Sequence, residues 1–182
     1  MQFPRQITGR GLLIALIVVC SVATLTSVTK AQIVAFGASN VAGKGVFPNQ
    51  AWPAVLEGLL RAKGYNVHVK NAGISGDTTK HMLQRLDSSI PPGTTIVILD
   101  VGGGFYNNSK TDIPREQGKA DMEAIEARLR SRGIKIVPEL SSKMPLNLKQ
   151  ADHIHLTAEG HRVYAEELLP RVIAALGSSH SG

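Results

Sequence analysis

Gln32-Ile33-Val34-Ala35-Phe36-Gly37-Ala38-Ser39-Asn40 is the stretch that decides the fold. A short apolar run that is closed by a glycine and shows no polar alternation has the pattern of a strand buried on both faces, as in a parallel sheet. Working outward, three further runs repeat the theme: Asn66 to Lys70 with Val67 and Val69, Thr94 to Leu99 rich in β-branched residues, and Ile134 to Val137. Between them lie helical patterns. Trp52, Val55, Leu56, Leu59 and Leu60 recur at helical spacing, with Pro53 in the first turn and Gly64 past the end. Thr78 to Ser88 places Met82, Leu83 and Leu86 on one face, and Gln117 to Arg132 carries Ile125 and Leu129 before stopping at Gly133. Thr157 caps a final helix with Glu159 in its first turn, which Pro170 should kink or restart. Asp100 to Gly104 and Pro138 to Gln150 read as loops. Strand and helix alternate throughout, so the expected class is α/β, with βαβ units forming a parallel sheet covered on both faces. Ligands then belong at the carboxyl ends of the strands.

The 182 residues suffice for one domain and an appendage. Residues 1–31 read as a signal peptide, because Arg5 and Arg10 precede the apolar run Leu12 to Val19, which fades into Ser/Thr and ends at Thr29-Lys30-Ala31. Residues 32–182 are the expected mature domain, periplasmic or secreted. Cys20 is the only cysteine, and the bulky Val19 before it argues against lipoprotein processing. The formal charge of +6 is partly a targeting feature: Arg5, Arg10 and Lys30 account for three of the six and no acid offsets them there. No Lys/Arg cluster remains as a nucleic-acid footprint, and aromatics at 4% offer no stacking platform. Membrane contact is expected only through the N-terminal segment, if uncleaved.

The loops after the first three strands, Gly37 to Phe47, Asn71 to Asp77 and Val101 to Asn108, should meet on one edge. Ser39 follows a tight turn there and could project its hydroxyl above the sheet. A lone serine in such a place is most often a cap or turn residue. The partner that changes this is Asp152-His153-Ile154-His155, because a serine hydroxyl needs an imidazole to take its proton and a carboxylate to orient that imidazole. Asp152 and His155, three apart, can meet side chain to side chain, whereas His153 would point elsewhere. Gly43-Lys44 lacks the other residues of a phosphate-binding loop, and the dispersed histidines show no metal-ligand spacing. No cofactor and no metal are expected.

These residues resemble the SGNH, or GDSL, hydrolases across the whole mature domain. Ala35-Phe36-Gly37-Ala38-Ser39 is similar to the family's nucleophile turn, Asn71-Ala72-Gly73-Ile74-Ser75-Gly76-Asp77-Thr78 to its second loop, and Asp152-His153-Ile154-His155 to its Asp-x-x-His stretch. The resemblance implies a three-layer α/β/α, flavodoxin-like fold with a parallel sheet of four to five strands. It implies Ser39 as nucleophile, His155 as base and Asp152 as its orienter, with the oxyanion held by the backbone N–H groups of Ser39 and Gly73 and by an asparagine. Two positions depart from the pattern: Ala38 stands where the family has aspartate, and Gly104 where it has the oxyanion asparagine. Asn107 or Asn108 is expected to substitute, if Gly102-Gly103-Gly104 turns the loop sharply at positive φ.

The resulting reading is an exported serine hydrolase that cleaves carboxylic esters or thioesters through an acyl-enzyme, with a small-molecule ester or acyl group as partner. The rivals are a non-catalytic module of the same fold binding envelope glycan or lipid, and an envelope polysaccharide deacetylase.

Overall fold

The computed structural model describes residues 31–177; the expected signal segment therefore lies outside the described residues, except Ala31. Four strands, β1 (Ala31–Gly37), β2 (Val67–Gly73), β3 (Thr94–Asp100) and β4 (Lys135–Glu139), form one parallel sheet in the order β2-β1-β3-β4. Because side chains alternate along a strand, β1 sends Ile33 and Ala35 to one face and Val34 and Phe36 to the other. The first face packs against α2 (Trp52–Ala62) and α6 (Ala158–Gly177), the second against α3 (Thr79–Ser89) and α5 (Arg115–Ser131). The expected three-layer α/β/α arrangement with a four-stranded sheet is the fold.

Two loop expectations change. Gly102–Asn108 is a short helix, α4, not a loop, and none of its three glycines has positive φ. They are glycines because of crowding: a Cβ on Gly103 would lie 2.4 Å from Asp100 Oδ2 and 2.8 Å from Ala38 Cβ, and one on Gly104 3.1 Å from Met82 Sδ. The Pro138 to Gln150 segment contains two 3-10 turns, Ser141–Lys143 and Leu146–Leu148, and Met144 between them is buried in the core. At the C-terminus, Thr157 Oγ1 accepts the Gly160 N–H at 3.0 Å as the cap, and one helix runs through Pro170 without restarting.

A four-residue helix, α1 (Ser39–Ala42), sits directly on β2. Gly73 permits this, since a Cβ there would stand 2.2 Å from Ala42 N and 2.6 Å from Val41 C. Gly73→Ala should therefore lower stability by roughly 1–3 kcal/mol or more through overpacking against backbone. Gly58→Ala, at an exposed site inside α2 with nothing within 4 Å, should raise it by about 0.5–1 kcal/mol. Urea midpoints at constant m value check both signs.

Candidate active site

Ser39 opens α1 immediately after β1, on the carboxyl edge of the sheet. Its Oγ lies 2.9 Å from His155 Nε2, across 116 residues of chain. On the other side of the ring, His155 Nδ1 pairs with Asp152 Oδ2 in a short contact. Asp152 Oδ1 also accepts the N–H groups of Ile154 at 2.9 Å and His155 at 3.0 Å. These three donors, the His155 ring first, hold the Asp152 carboxyl well below the usual carboxylate range. With Nδ1–H donated to Asp152, Nε2 is left to accept from the Ser39 hydroxyl, the tautomer that proton abstraction from serine needs. The residues singled out as Ser39, Asp152 and His155 are thus brought together in sequence-remote contact. His153 has a φ of 60° and lines the opening beside Ser39 without joining the relay.

Asn40, which the sequence reading passed over, fixes this geometry. Its Nδ2 donates to Ile154 O at 3.2 Å and its Oδ1 accepts Leu156 N–H at 3.0 Å. One side chain next to the serine therefore clamps the backbone on both sides of His155. Arg85 does comparable work on the adjoining turn: Nε pairs with Asp77 Oδ2 at 2.5 Å, and Nη1 and Nη2 donate to Ala72 O at 2.9 Å and Gly37 O at 3.0 Å. Its guanidinium lies 4.4 Å from the centre of the Phe36 ring. No motif announces Arg85; its position eight residues after Asp77 in a helical pattern was the only signal.

The expected oxyanion donors do not all remain available. Gly73 N–H is donated to Asn71 Oδ1 at 2.9 Å. Asn107 Nδ2 donates to Asp77 O at 2.7 Å, and Asn108, buried, exchanges bonds with Thr79, donating to Oγ1 at 2.8 Å and accepting the Thr79 N–H at 3.0 Å. Neither asparagine lines the opening at Ser39. The reason is that helical glycines cannot make the sharp reversal the substitution required, so α4 points its asparagines at the start of α3 and the turn before it. At the head of α1, in the wall of that opening, the Ser39 N–H has no acceptor among the described residues.

A cavity of about 180 Å³ opens beside Ser39, with Asn40, Gly103, Tyr106, Ser142 and Lys149 in its walls. Among the described residues no cluster of three metal-binding side chains occurs, and no helix is long and apolar enough to cross a membrane.

The family model for the GDSL-like lipase/acylhydrolase family matches residues 35–150. The chain belongs to this family. Esterase TesA of Pseudomonas aeruginosa is 30% identical over 115 residues, 62% of this chain and 56% of TesA, so the match spans little more than half of that relative's length. The psychrotrophic esterase EstA from Pseudoalteromonas sp. shares the fold, with a TM-score of 0.69 at 16% identity over 81% of this chain and 100% of EstA. AlinE4, an SGNH-hydrolase family esterase, superposes with a TM-score of 0.59 at 25% identity over 84% of this chain and 98% of its own. The family match ends at Gln150, before Asp152 and His155, whose place at the site rests on the distances above.

The two departures from the family pattern have structural counterparts. Ala38 is fully buried and donates its N–H to Asp100 Oδ2 at 3.0 Å, while Asp100 Oδ1 accepts the Gly103 N–H at 2.8 Å. A carboxyl does brace the nucleophile turn, and it comes from the end of β3. Its register partner on β4 is Glu139, also buried. Burial first, then the nearby Asp100, pushes the Glu139 carboxyl up to about 8. Behind the site, His161 Nδ1 accepts the Trp52 N–H at 3.2 Å, and burial, followed by the charge of His155, lowers the His161 ring to about 4.

These two groups set opposite limbs of the stability profile. Folded Glu139 keeps a proton that the unfolded chain releases near 4.5, so its contribution is lost as pH rises from about 4.5 to about 8. Folded His161 stays neutral while the unfolded chain takes up a proton near 6.5, so stability falls as pH drops from about 6.5 to about 4. Glu139→Gln should flatten the upper limb, which runs at up to about 1.4 kcal/mol per pH unit, and leave the lower limb in place. Denaturation midpoints from pH 4 to 9 read this directly; an unchanged upper limb in the variant contradicts it.

Proposed function

We propose that this chain is a serine hydrolase that cleaves carboxylic esters or thioesters through an acyl-enzyme. The observation that carries the proposal is the Ser39–His155–Asp152 relay, with its 2.9 Å nucleophile-to-base contact and a base already oriented by a carboxylate. His155 Nε2 takes the Ser39 proton as Oγ attacks the acyl carbon, and the resulting imidazolium is stabilised by Asp152. The same ring then returns the proton to the departing alcohol or thiol. Water then attacks the acyl carbon while His155 takes its proton, and the imidazolium gives that proton to Ser39 Oγ as the bond to the acyl group breaks, releasing the acid and the free serine.

Negative charge on the tetrahedral intermediate needs donors that are in place beforehand. We assign that role first to the Ser39 N–H, which no acceptor takes up, whereas the Gly73 N–H is held by Asn71 and the two asparagines by Asp77 and Thr79. Fewer free donors than the three the family pattern implies fit a slower enzyme, since one oxyanion donor is worth roughly a hundred- to a thousandfold in rate. The small cavity and its Ser142, Asn40 and Lys149 walls favour a short acyl group on a polar alcohol. That lining also supports the deacetylase reading, which shares every step. The N-terminal Arg-flanked apolar segment, with cleavage after Ala31, supports action outside the cytoplasm.

Ser39→Ala and His155→Ala should each lower kcat on a chromogenic acetyl ester by roughly a thousandfold or more, non-additively in the double variant, with thermal midpoints nearly unchanged. His153→Ala should be far milder. Equal loss in His153→Ala and none in His155→Ala would contradict the assignment.

A further inference from the structure

Among the described residues, the large apolar side chains left exposed are Phe47 (73%), Ile74 (49%), Tyr106 (38%) and Leu146 (62%). A scatter of single exposed apolar groups would need no explanation. Their placement does. Phe47 lies in the segment after β1, Ile74 directly after β2, Tyr106 in α4 after β3, and Leu146 in the segment after β4. All strands are parallel, so all four segments leave the same edge of the sheet, the one that carries Ser39. Independent exposures would be spread over both edges and the outer helical faces.

Charge is arranged on that edge in a matching way. Lys44 follows β1, Lys110 follows β3, and Lys143 and Lys149 follow β4. Lys110 holds its ammonium 4.4 Å from the centre of the Tyr106 ring, next to one of the apolar tips. In the segments 38–51, 74–78, 101–114 and 140–157, the acids are Asp77, paired with Arg85, Asp152, committed to His155, and Asp112. The nearest helical acids, Glu116 and Glu159, are paired with Lys119 at 2.9 Å and Arg162 at 2.5 Å. With Asp77 and Asp152 paired, these segments are net cationic, and Phe47, Tyr106 and Leu146 each have a lysine three or four residues away in the chain.

We propose that this edge docks on an anionic lipid bilayer, with Phe47, Ile74, Tyr106 and Leu146 entering the headgroup region and the lysines facing lipid phosphates. Separate apolar tips on separate segments, three of them with a lysine close by in the chain, suit a surface that is fluid, anionic and apolar just beneath its charge. A protein partner of ordinary affinity would ask instead for one contiguous apolar centre depleted of lysine. Docking turns the opening at Ser39 toward the bilayer. It adds a membrane contact distinct from the N-terminal segment, which joins β1 at the opposite edge. The proposal rests on the fold and the exposed side chains, not on the hydrolase reading.

The test uses the full chain with single tryptophans added at Phe47→Trp, Leu146→Trp and, as an opposite-edge control, Lys63→Trp, against the buried background of Trp52. Vesicles of phosphatidylglycerol and of phosphatidylcholine alone are compared, with brominated acyl chains as quencher. Tryptophans at 47 and 146 should shift to the blue and be quenched on the anionic vesicles, while that at 63 does not respond. Lys44→Glu with Lys143→Glu should weaken the rim response about tenfold or more, leaving soluble-ester turnover essentially unchanged. Vesicle binding with tryptophans 47 and 146 still in water assigns it to the N-terminal segment and overturns the proposal. So does an equal response to neutral vesicles, or capture by a soluble polyanion without any vesicle response. Quenched rim tryptophans with no ester turnover would sink the hydrolase reading and leave this proposal standing.

Discussion

The site depends on how closely the carboxyl ends of β1 and β3 approach one another around the Asp100 carboxyl. Gly37 has no Cβ because one would lie 2.2 Å from Asp100 Cβ, and Gly103 has none because one would meet Asp100 Oδ2 at 2.4 Å. In the space so created, Asp100 accepts the Ala38 and Gly103 N–H groups at 3.0 and 2.8 Å. Two turns that would otherwise carry buried, unpaired donors are satisfied by one side chain. The nucleophile turn is thereby tied to β3, and Ser39 is delivered at a fixed height above the sheet.

That constraint connects the two departures from the family pattern. Ala38 needs no carboxylate of its own, because the strand-end carboxyl already holds its N–H, and its Cβ position abuts Gly103. Gly104 packs against Met82 and Thr79 of α3, where a longer side chain would force its neighbours to move. Gly104 thus lets α4 pack closely on α3. The relay of Ser39, His155 and Asp152 is built independently of that packing, through the Asn40 clamp on either side of His155.

Much of this was legible in the sequence. Buried parallel strands announce themselves as unbroken apolar runs, so Ile33 to Phe36 and Thr94 to Leu99 placed the sheet, and the Asp152 to His155 spacing placed the histidine opposite the serine. The glycine run at Gly102 misled because glycine serves both conformational freedom and close approach, and only the packing against Asp100 and Met82 decides between them. Gly73 shows the second use, since it makes room for α1 on β2. Asn40, Arg85, Asp100 and Glu139 act by bracing backbone groups and neighbouring carboxyls, and no motif in a single sequence marks residues of that kind.

The central claim is that Ser39 Oγ is an activated nucleophile, and covalent trapping addresses it most directly. Treating the folded protein with a fluorophosphonate and mapping the adduct by peptide mass spectrometry should give one modified residue, Ser39, with labelling abolished in His155→Ala. An unlabelled wild-type chain, or an adduct on another residue such as Ser141 or Ser142 in place of Ser39, would contradict the account.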